Sequence, residues 1–346
     1  MTKETAMQRS SGEIRALLAP WGQTAAQIQF IDSSHGSDDL RENYVLDRRL
    51  VLRINSADVM SDTSLAGLNR LIGRYRDFGV AAPLFLPFAE GRFVQRLPDG
   101  SICYLSEYLD MLPADQAGLK GRQWHDLDQK ILILVARFAA RYRQVDLIDT
   151  YGMYSLFDLS PYDIAAGIDE KQENCNLLTD ALSALGEHGL AEDLTALNLA
   201  LRKRLLSLSP RLPRCVFQGD ENSSNLCLDE KGEIKGIFDF NMAGTDVCVN
   251  YLANHSLCSY ENDFSRPAAA LHADLQAAEA GDLQIIRRFY PMTPEEEIAY
   301  SLYLAIVKLF QWPMLCDYQK GLKQVETRQN ALALLRLLLK DGQGLL

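Results

Sequence analysis

The chain has 346 residues, 47% hydrophobic and 23% charged, which excludes a disordered or low-complexity polymer and allows a buried core of ordinary size. Lys plus Arg number 35 against 46 Asp plus Glu, a formal net charge of −11. That excess of acid argues against a phosphate-neutralising surface, and no nucleic-acid partner is expected.

Seven cysteines are present, an odd number with no CxxC pair, and several have apolar neighbours, as in Cys215-Val216-Phe217. This usage predicts reduced, buried thiols in a cytoplasmic protein. Residues 1–12 are polar and lack an apolar core, so a secretory signal is not expected. The most apolar run, 131–140, contains Arg137 and is too short to span a bilayer, so no membrane partner is expected either.

In chain order, the patterning predicts a short helix over 12–18, stopped at Pro20, and strands over 26–31, 44–46 and 49–54. A polar turn holding Gly36 separates the first two strands. A helix over 64–78 places Leu65, Leu68, Leu71, Ile72 and Tyr75 on one face, and strands follow near 92–96 and 102–105. From Asp115 the period lengthens, and helices are predicted over 124–145 and 177–208 with a loop over 150–162 between them. A compact β-rich interruption occupies 215–240. Helices then return over 246–259, 268–280, 294–310 and 319–339, the third opening with Pro294 before three glutamates. No internal repeat or long linker breaks the chain.

The β-rich interruption carries the chemistry. An apolar strand delivers Asp220 into a loop, Asn225 follows five residues later, and a hairpin turning at 229–232 returns Asp239 at its far end. Taken singly, such residues cap turns and end strands. Together they form the hard-oxygen set that phosphoryl transfer requires: one carboxylate for the attacking hydroxyl, and an amide with a second carboxylate for Mg²⁺.

The run Gln218-Gly219-Asp220, then Asn225, then Phe238-Asp239-Phe240 resembles the signature of the aminoglycoside phosphotransferase and choline kinase family. The resemblance implies an α+β, two-lobed, protein-kinase-like fold, with a small antiparallel-sheet N-lobe over 1–109 for nucleotide and a mainly helical C-lobe over 110–346 for catalysis and acceptor. It implies an enzyme using ATP or GTP with Mg²⁺ to phosphorylate a hydroxyl of a small molecule. Asp220 would be the catalytic base, with Asn225 and Asp239 as metal ligands. Arg53, in the third strand, would contact phosphate, and Glu107, Tyr108 and Leu109 would form the hinge under the nucleobase. Glu261 and Asp263 lie where the family builds its acceptor pocket, and an acidic wall there would suit an amino sugar or amino alcohol.

The departures define the competing reading, a catalytically impaired relative that binds nucleotide or another ligand. Gln218 replaces the signature histidine, and Arg53 replaces a lysine. The helix over 64–78 has no acid before Asp77, which leaves Asp62 as the nearest partner for Arg53. No GxxxxGK[ST] loop, GxSxG elbow or metal-spaced histidine pair occurs among His35, His125, His188, His255 and His272.

Overall fold

The computed structural model describes residues 8–34, 40–56, 60–163, 165, 167–257 and 260–346. The expected turn at Gly36, together with His35 and Cys258, lies outside the described residues. From the N-terminal side come α1 (Ser11–Leu18), β1 (Ile28–Asp32), β2 (Arg41–Leu46), β3 (Leu50–Asn55), α2 (Asp62–Asp77), β4 (Phe85–Leu86), β5 (Gln95–Arg96) and β6 (Ile102–Glu107). Helices α3 (Arg122–Tyr142), α4 (Glu170–Ala184) and α5 (His188–Leu208) follow. Next are strands β7 (Arg214–Phe217), β8 (Leu226–Leu228), β9 (Ile234–Ile237) and β10 (Gly244–Val247). Helices α6 (Cys248–His255), α7 (Ala268–Phe289), α8 (Pro294–Phe310), α9 (Trp312–Lys323) and α10 (Val325–Gln343) complete the order. The elements form two compact units, Met1–Gly118 with Glu221–Phe240, and Leu119–Asp220 with Asn241–Leu346.

The first unit is built on an antiparallel sheet in the order β1-β2-β3-β6-β4, with β5 also paired to β6. Alternation along β3 decides its two faces. Leu50, Leu52 and Ile54 join Cys103 and Leu105 of β6 in a core closed by Ile14 and Leu18 of α1 and by Trp21. Val51 and Arg53 occupy the opposite face, opposite Ser106 and Tyr104 of β6. Helix α1 starts at a capping box in which Ser10 and Glu13 satisfy each other's backbone N–H groups. Helix α2 buries all five residues of its predicted apolar face. The β8–β9 hairpin belongs to this unit: Ala81 N–H donates to the Lys235 carbonyl at 2.8 Å, and Ile237 N–H to the Ala81 carbonyl at 2.9 Å.

The second unit is mainly helical, with β7 and β10 pairing antiparallel inside it. Two predicted helices are each two in the structure. The helix expected over 177–208 is α4 and α5, parted at Gly186, whose φ of 83° is left-handed and ends α4. The helix expected over 319–339 is α9 and α10, parted at Gln324, whose extended backbone cannot continue a helical turn. Asp169 caps α4 through Gln172 N–H and receives both arms of the Arg202 guanidinium at 2.7 Å. Among the described residues no single helix is long and apolar enough to cross a membrane.

Because Asp169 is buried, Arg202 is largely covered and the pair is bidentate, removing one charge strands the other. Asp169→Ala is expected to cost about 3 kcal/mol, read as a lower urea midpoint with unchanged slope.

Candidate functional site

In the second unit, β7 ends at Phe217 and the chain turns sharply through Gln218 and Gly219 to Asp220. Gly219 has φ 96°, and a Cβ placed on it would lie 2.1 Å from the Met242 carbonyl oxygen, so only glycine fits. Its N–H donates to the Tyr251 hydroxyl at 3.2 Å, while the Tyr251 ring stacks flat on Phe217 at 3.8 Å between centroids. Gln218 is 0% exposed, and its Oε1 accepts the Asp220 N–H at 2.7 Å. An uncharged amide therefore holds the backbone at Asp220, whose side chain stays partly accessible.

The first unit takes up the chain at Glu221, which is 4% exposed and accepts a hydrogen bond from the Tyr75 hydroxyl of α2 at 3.4 Å. Asn225 is buried, and its carbonyl accepts the Phe238 N–H at 3.0 Å, closing the open end of the β8–β9 hairpin. Asp239 follows directly, with a left-handed φ of 59°. The structure thus brings Asn225 and Asp239 together at one end of one hairpin, as their spacing predicts. Their amide and carboxylate oxygens are the hard donors that Mg²⁺ takes. Among the described residues no group of three or more His, Cys, Asp or Glu forms a metal cage.

Arg53 lies across from Tyr104, and Tyr104 joins it electrostatically to the hairpin. Burial pushes the Tyr104 phenol above its ordinary value, the Arg53 charge and the Asn55 amide oppose that, and the Asp239 charge adds to it. The Arg53 Nε is buried without a hydrogen-bond partner, and the expected pairing with Asp62 does not occur. Asp62 instead accepts the N–H groups of Phe93 and Val94 at 2.7 and 2.9 Å and pairs with Arg92 at 3.4 Å.

The segment 107–109 leaves β6 beside this face. The Glu107 carboxylate is held by Arg76 and by the Leu84 N–H, and the Tyr108 N–H donates to the Arg49 carbonyl at 2.8 Å. The Leu109 carbonyl accepts from Met111, whereas its N–H makes no hydrogen bond to a described residue. Gly236 of β9 packs so closely here that a Cβ would meet Leu109 Cδ2 at 2.9 Å, so the hairpin bearing Asn225 and Asp239 is seated directly on this segment.

Glu261 and Asp263 are exposed, and Asp263 accepts both the hydroxyl and the N–H of Ser265, a local turn that holds its carboxyl below the usual carboxylate pKa. The residue between them, Asn262, is buried and bonded to Asp317. After Asp239 the chain reaches Asp246, fully buried beside Asn250, whose Nδ2 donates to it at 3.1 Å and to the Tyr154 carbonyl at 2.6 Å. Burial pushes the Asp246 carboxyl up to about 7, against the opposing pull of Asn250 and Val247 N–H. Glu221, Tyr251 and Asp246 were not singled out from sequence as site residues. Their only signal is position: Glu221 beside Asp220, Asp246 within β10 and Tyr251 one helical turn beyond it.

A model described as the phosphotransferase enzyme family matches residues 34–291. No curated protein matches the sequence. Among solved structures, the microcompartment-associated aminopropanol kinase is 12% identical with a TM-score of 0.53, covering 97% of this chain and all of that one. An amicoumacin kinase in complex with AMP-PNP, Ca²⁺ and Ami is 13% identical with a TM-score of 0.51, covering 97% of this chain and 94% of that one. These likenesses identify the fold as the α+β, protein-kinase-like one, with an antiparallel sheet towards the N-terminus and a mostly helical C-terminal part.

Two outcomes follow from the geometry. Gly219→Ala forces its new methyl against the Met242 carbonyl and is expected to cost about 3 kcal/mol or more, measured as a drop in thermal midpoint. Asp246 keeps a proton in the native state that the unfolded chain releases above its ordinary pKa of 3.8. Its contribution therefore weakens as pH rises from 3.8 to about 7 and is flat above. Asp246→Asn should remove that slope from a pH series of unfolding midpoints, and an unchanged slope would assign it to other groups.

Proposed function

This chain belongs to the phosphotransferase enzyme family; on that footing we propose that it transfers the terminal phosphoryl group of ATP or GTP to a hydroxyl of a small molecule, an amino sugar or amino alcohol. In this reading residues 1–109 hold the nucleotide and 110–346 the catalytic and acceptor machinery. Asp220 accepts the acceptor's hydroxyl proton as the oxygen attacks the terminal phosphorus and the bond to the nucleoside diphosphate breaks. Asn225 and Asp239 would hold Mg²⁺, which when bound offsets the charge of the phosphates. In the same reading Arg53 would meet phosphate, Glu107 to Leu109 the base, and Glu261 and Asp263 a cationic acceptor. Orientation and charge neutralisation then account for most of the rate.

The observation that carries the reading is Arg53. A guanidinium whose Nε is buried without a partner is costly unless an anion completes it, and Arg53 shares the surroundings of Tyr104 with Asp239, the candidate metal ligand. The second reading, a nucleotide- or ligand-binding relative with impaired catalysis, is favoured by the engagement of Asp62 with Arg92, which leaves α2 without an acid for Arg53.

Thermal unfolding with ATP or GTP, with and without Mg²⁺, tests binding. At a hundredfold excess over Kd the native state should gain about 2.7 kcal/mol, and Asp239→Asn should lose the Mg²⁺-dependent part. Nucleoside diphosphate release with a panel of amino alcohols and amino sugars tests transfer, where Asp220→Asn should fall by about a hundredfold or more with its thermal shift intact. A shift without turnover selects the binding reading, and no shift with either nucleotide overturns both.

A further inference from the structure

Helices α7, α8 and α10 of the helical unit line a cavity of about 560 Å³, a volume in the range of small-molecule sites. One face of α7 supplies Gln276, Glu279, Ala280 and Leu283 to its wall. The other face of α7 lines a separate cavity with Leu257 and Tyr260, where the Asp282 carboxylate accepts the Leu257 N–H at 2.9 Å. Helix α7 therefore stands between the first cavity and the segment that runs on to Glu261 and Asp263. Lys308 of α8 is 9% exposed, and its Nζ donates to the Glu279 carboxylate at 2.9 Å across the cavity wall. An ammonium carries three N–H donors, and among the described residues Glu279 is the one group that takes any. A buried ion pair offsets its desolvation only where further hydrogen bonds complete it. Lys340 and Asp341 of α10 also line the cavity, with Asp341 bonded to His272 Nε2 at 2.6 Å. Two cations and two anions thus meet here, and their formal charges cancel.

We propose that this cavity binds a free aliphatic α-amino acid, its carboxylate on Lys308 and its ammonium on Glu279. The ligand's two charges sit on one carbon, so they pair head to tail with a lysine and a glutamate already in contact. The carboxylate supplies acceptors for the unused ammonium donors of Lys308, and the ligand's own ammonium donates to the lone pairs of Glu279 that Lys308 leaves open. A simple anion would face Glu279 and a simple cation would face Lys308, and each like-charge approach is unfavourable. The rest of the wall sets the side chain: Leu283, Ala305, Leu338 and Leu345 present aliphatic surface, which favours a branched hydrocarbon group over a polar one.

Isothermal titration of L-leucine into the full chain tests this, beside 4-methylpentanoate, which lacks the ammonium, and isopentylamine, which lacks the carboxylate. Leucine should bind wild type saturably, and each truncated analogue should bind about tenfold to a hundredfold more weakly, the loss of one charged hydrogen-bonded contact. Lys308→Met and Glu279→Gln should each weaken leucine by a similar factor. Ala280 is exposed on α7 and lines the cavity, so Ala280→Trp should fill the space and abolish binding while its ligand-free melting curve matches wild type. That variant keeps the test decisive even where replacing the buried lysine unfolds the chain. No leucine binding by wild type overturns the inference, as does equal binding by Ala280→Trp, which would put the ligand elsewhere. An analogue with one charge that binds as tightly as leucine overturns the zwitterion assignment.

Discussion

The Met242 carbonyl oxygen occupies the place where a side chain on residue 219 would begin. That close approach dictates a glycine in a left-handed conformation, and the rest of the turn is arranged around it. Phe217 stacks on Tyr251, Tyr251 takes the glycine N–H, and Gln218 takes the N–H of Asp220. Each of these contacts is made by a group that carries no charge near neutrality. Gln218 is therefore a sufficient occupant of its position for geometry, whatever a histidine there would add. The chain enters this turn from an interior strand and leaves it as Glu221, again buried. A carboxylate of intermediate exposure is thus set between two anchored residues, which limits its motion more than a surface loop would.

Both units contain closed polar networks and buried side-chain atoms that the described protein leaves unmet. In the helical unit, Asp169, Arg202 and Asn198 answer one another, as do Asp246 with Asn250 and Tyr290 with Glu296. Closed networks of this sort stiffen a core and specify one packing. Asn262 Oδ1 in that unit and, on one face of the sheet, Arg53 Nε and Ser106 Oγ are buried with no hydrogen-bond partner among the described residues. Natural proteins depart from local satisfaction mainly where a ligand supplies what is missing.

Much of this architecture was legible because its physics is local. The apolar stripe of α2, the limits of α8 and the order of strands β1, β2, β3 and β6 follow from periodicity and from caps such as Thr293 with Glu296. The neighbourhood of Asn225 and Asp239 was legible through a spacing that the β8–β9 hairpin closes at one end. The split between α4 and α5 was marked by Gly186 and could have been read from it. The split between α9 and α10 was not, since Gln324 is neither glycine nor proline and its extended backbone is imposed by tertiary packing. Strand β4 is two residues long and exists only because β6 offers an edge. The partner of Asp62 was out of reach for a related reason: two backbone amides and Arg92 converge on it from a segment that sequence alone does not fold.

The cysteines divide in a way that bears on handling the protein. Of the six described, Cys103, Cys175, Cys215, Cys227 and Cys248 are buried and unpaired, and Cys316 on α9 is exposed. Burial pushes the thiols of Cys103, Cys175 and Cys227 up to about 11, so near neutrality they are scarcely present as thiolates. Alkylating reagents and oxidants need a thiol that solvent can reach, and among these six Cys316 alone is exposed in the native state. A maleimide dye attached there reports on the helical unit without entering its core, and the appearance of further reactive thiols becomes a direct clock for unfolding.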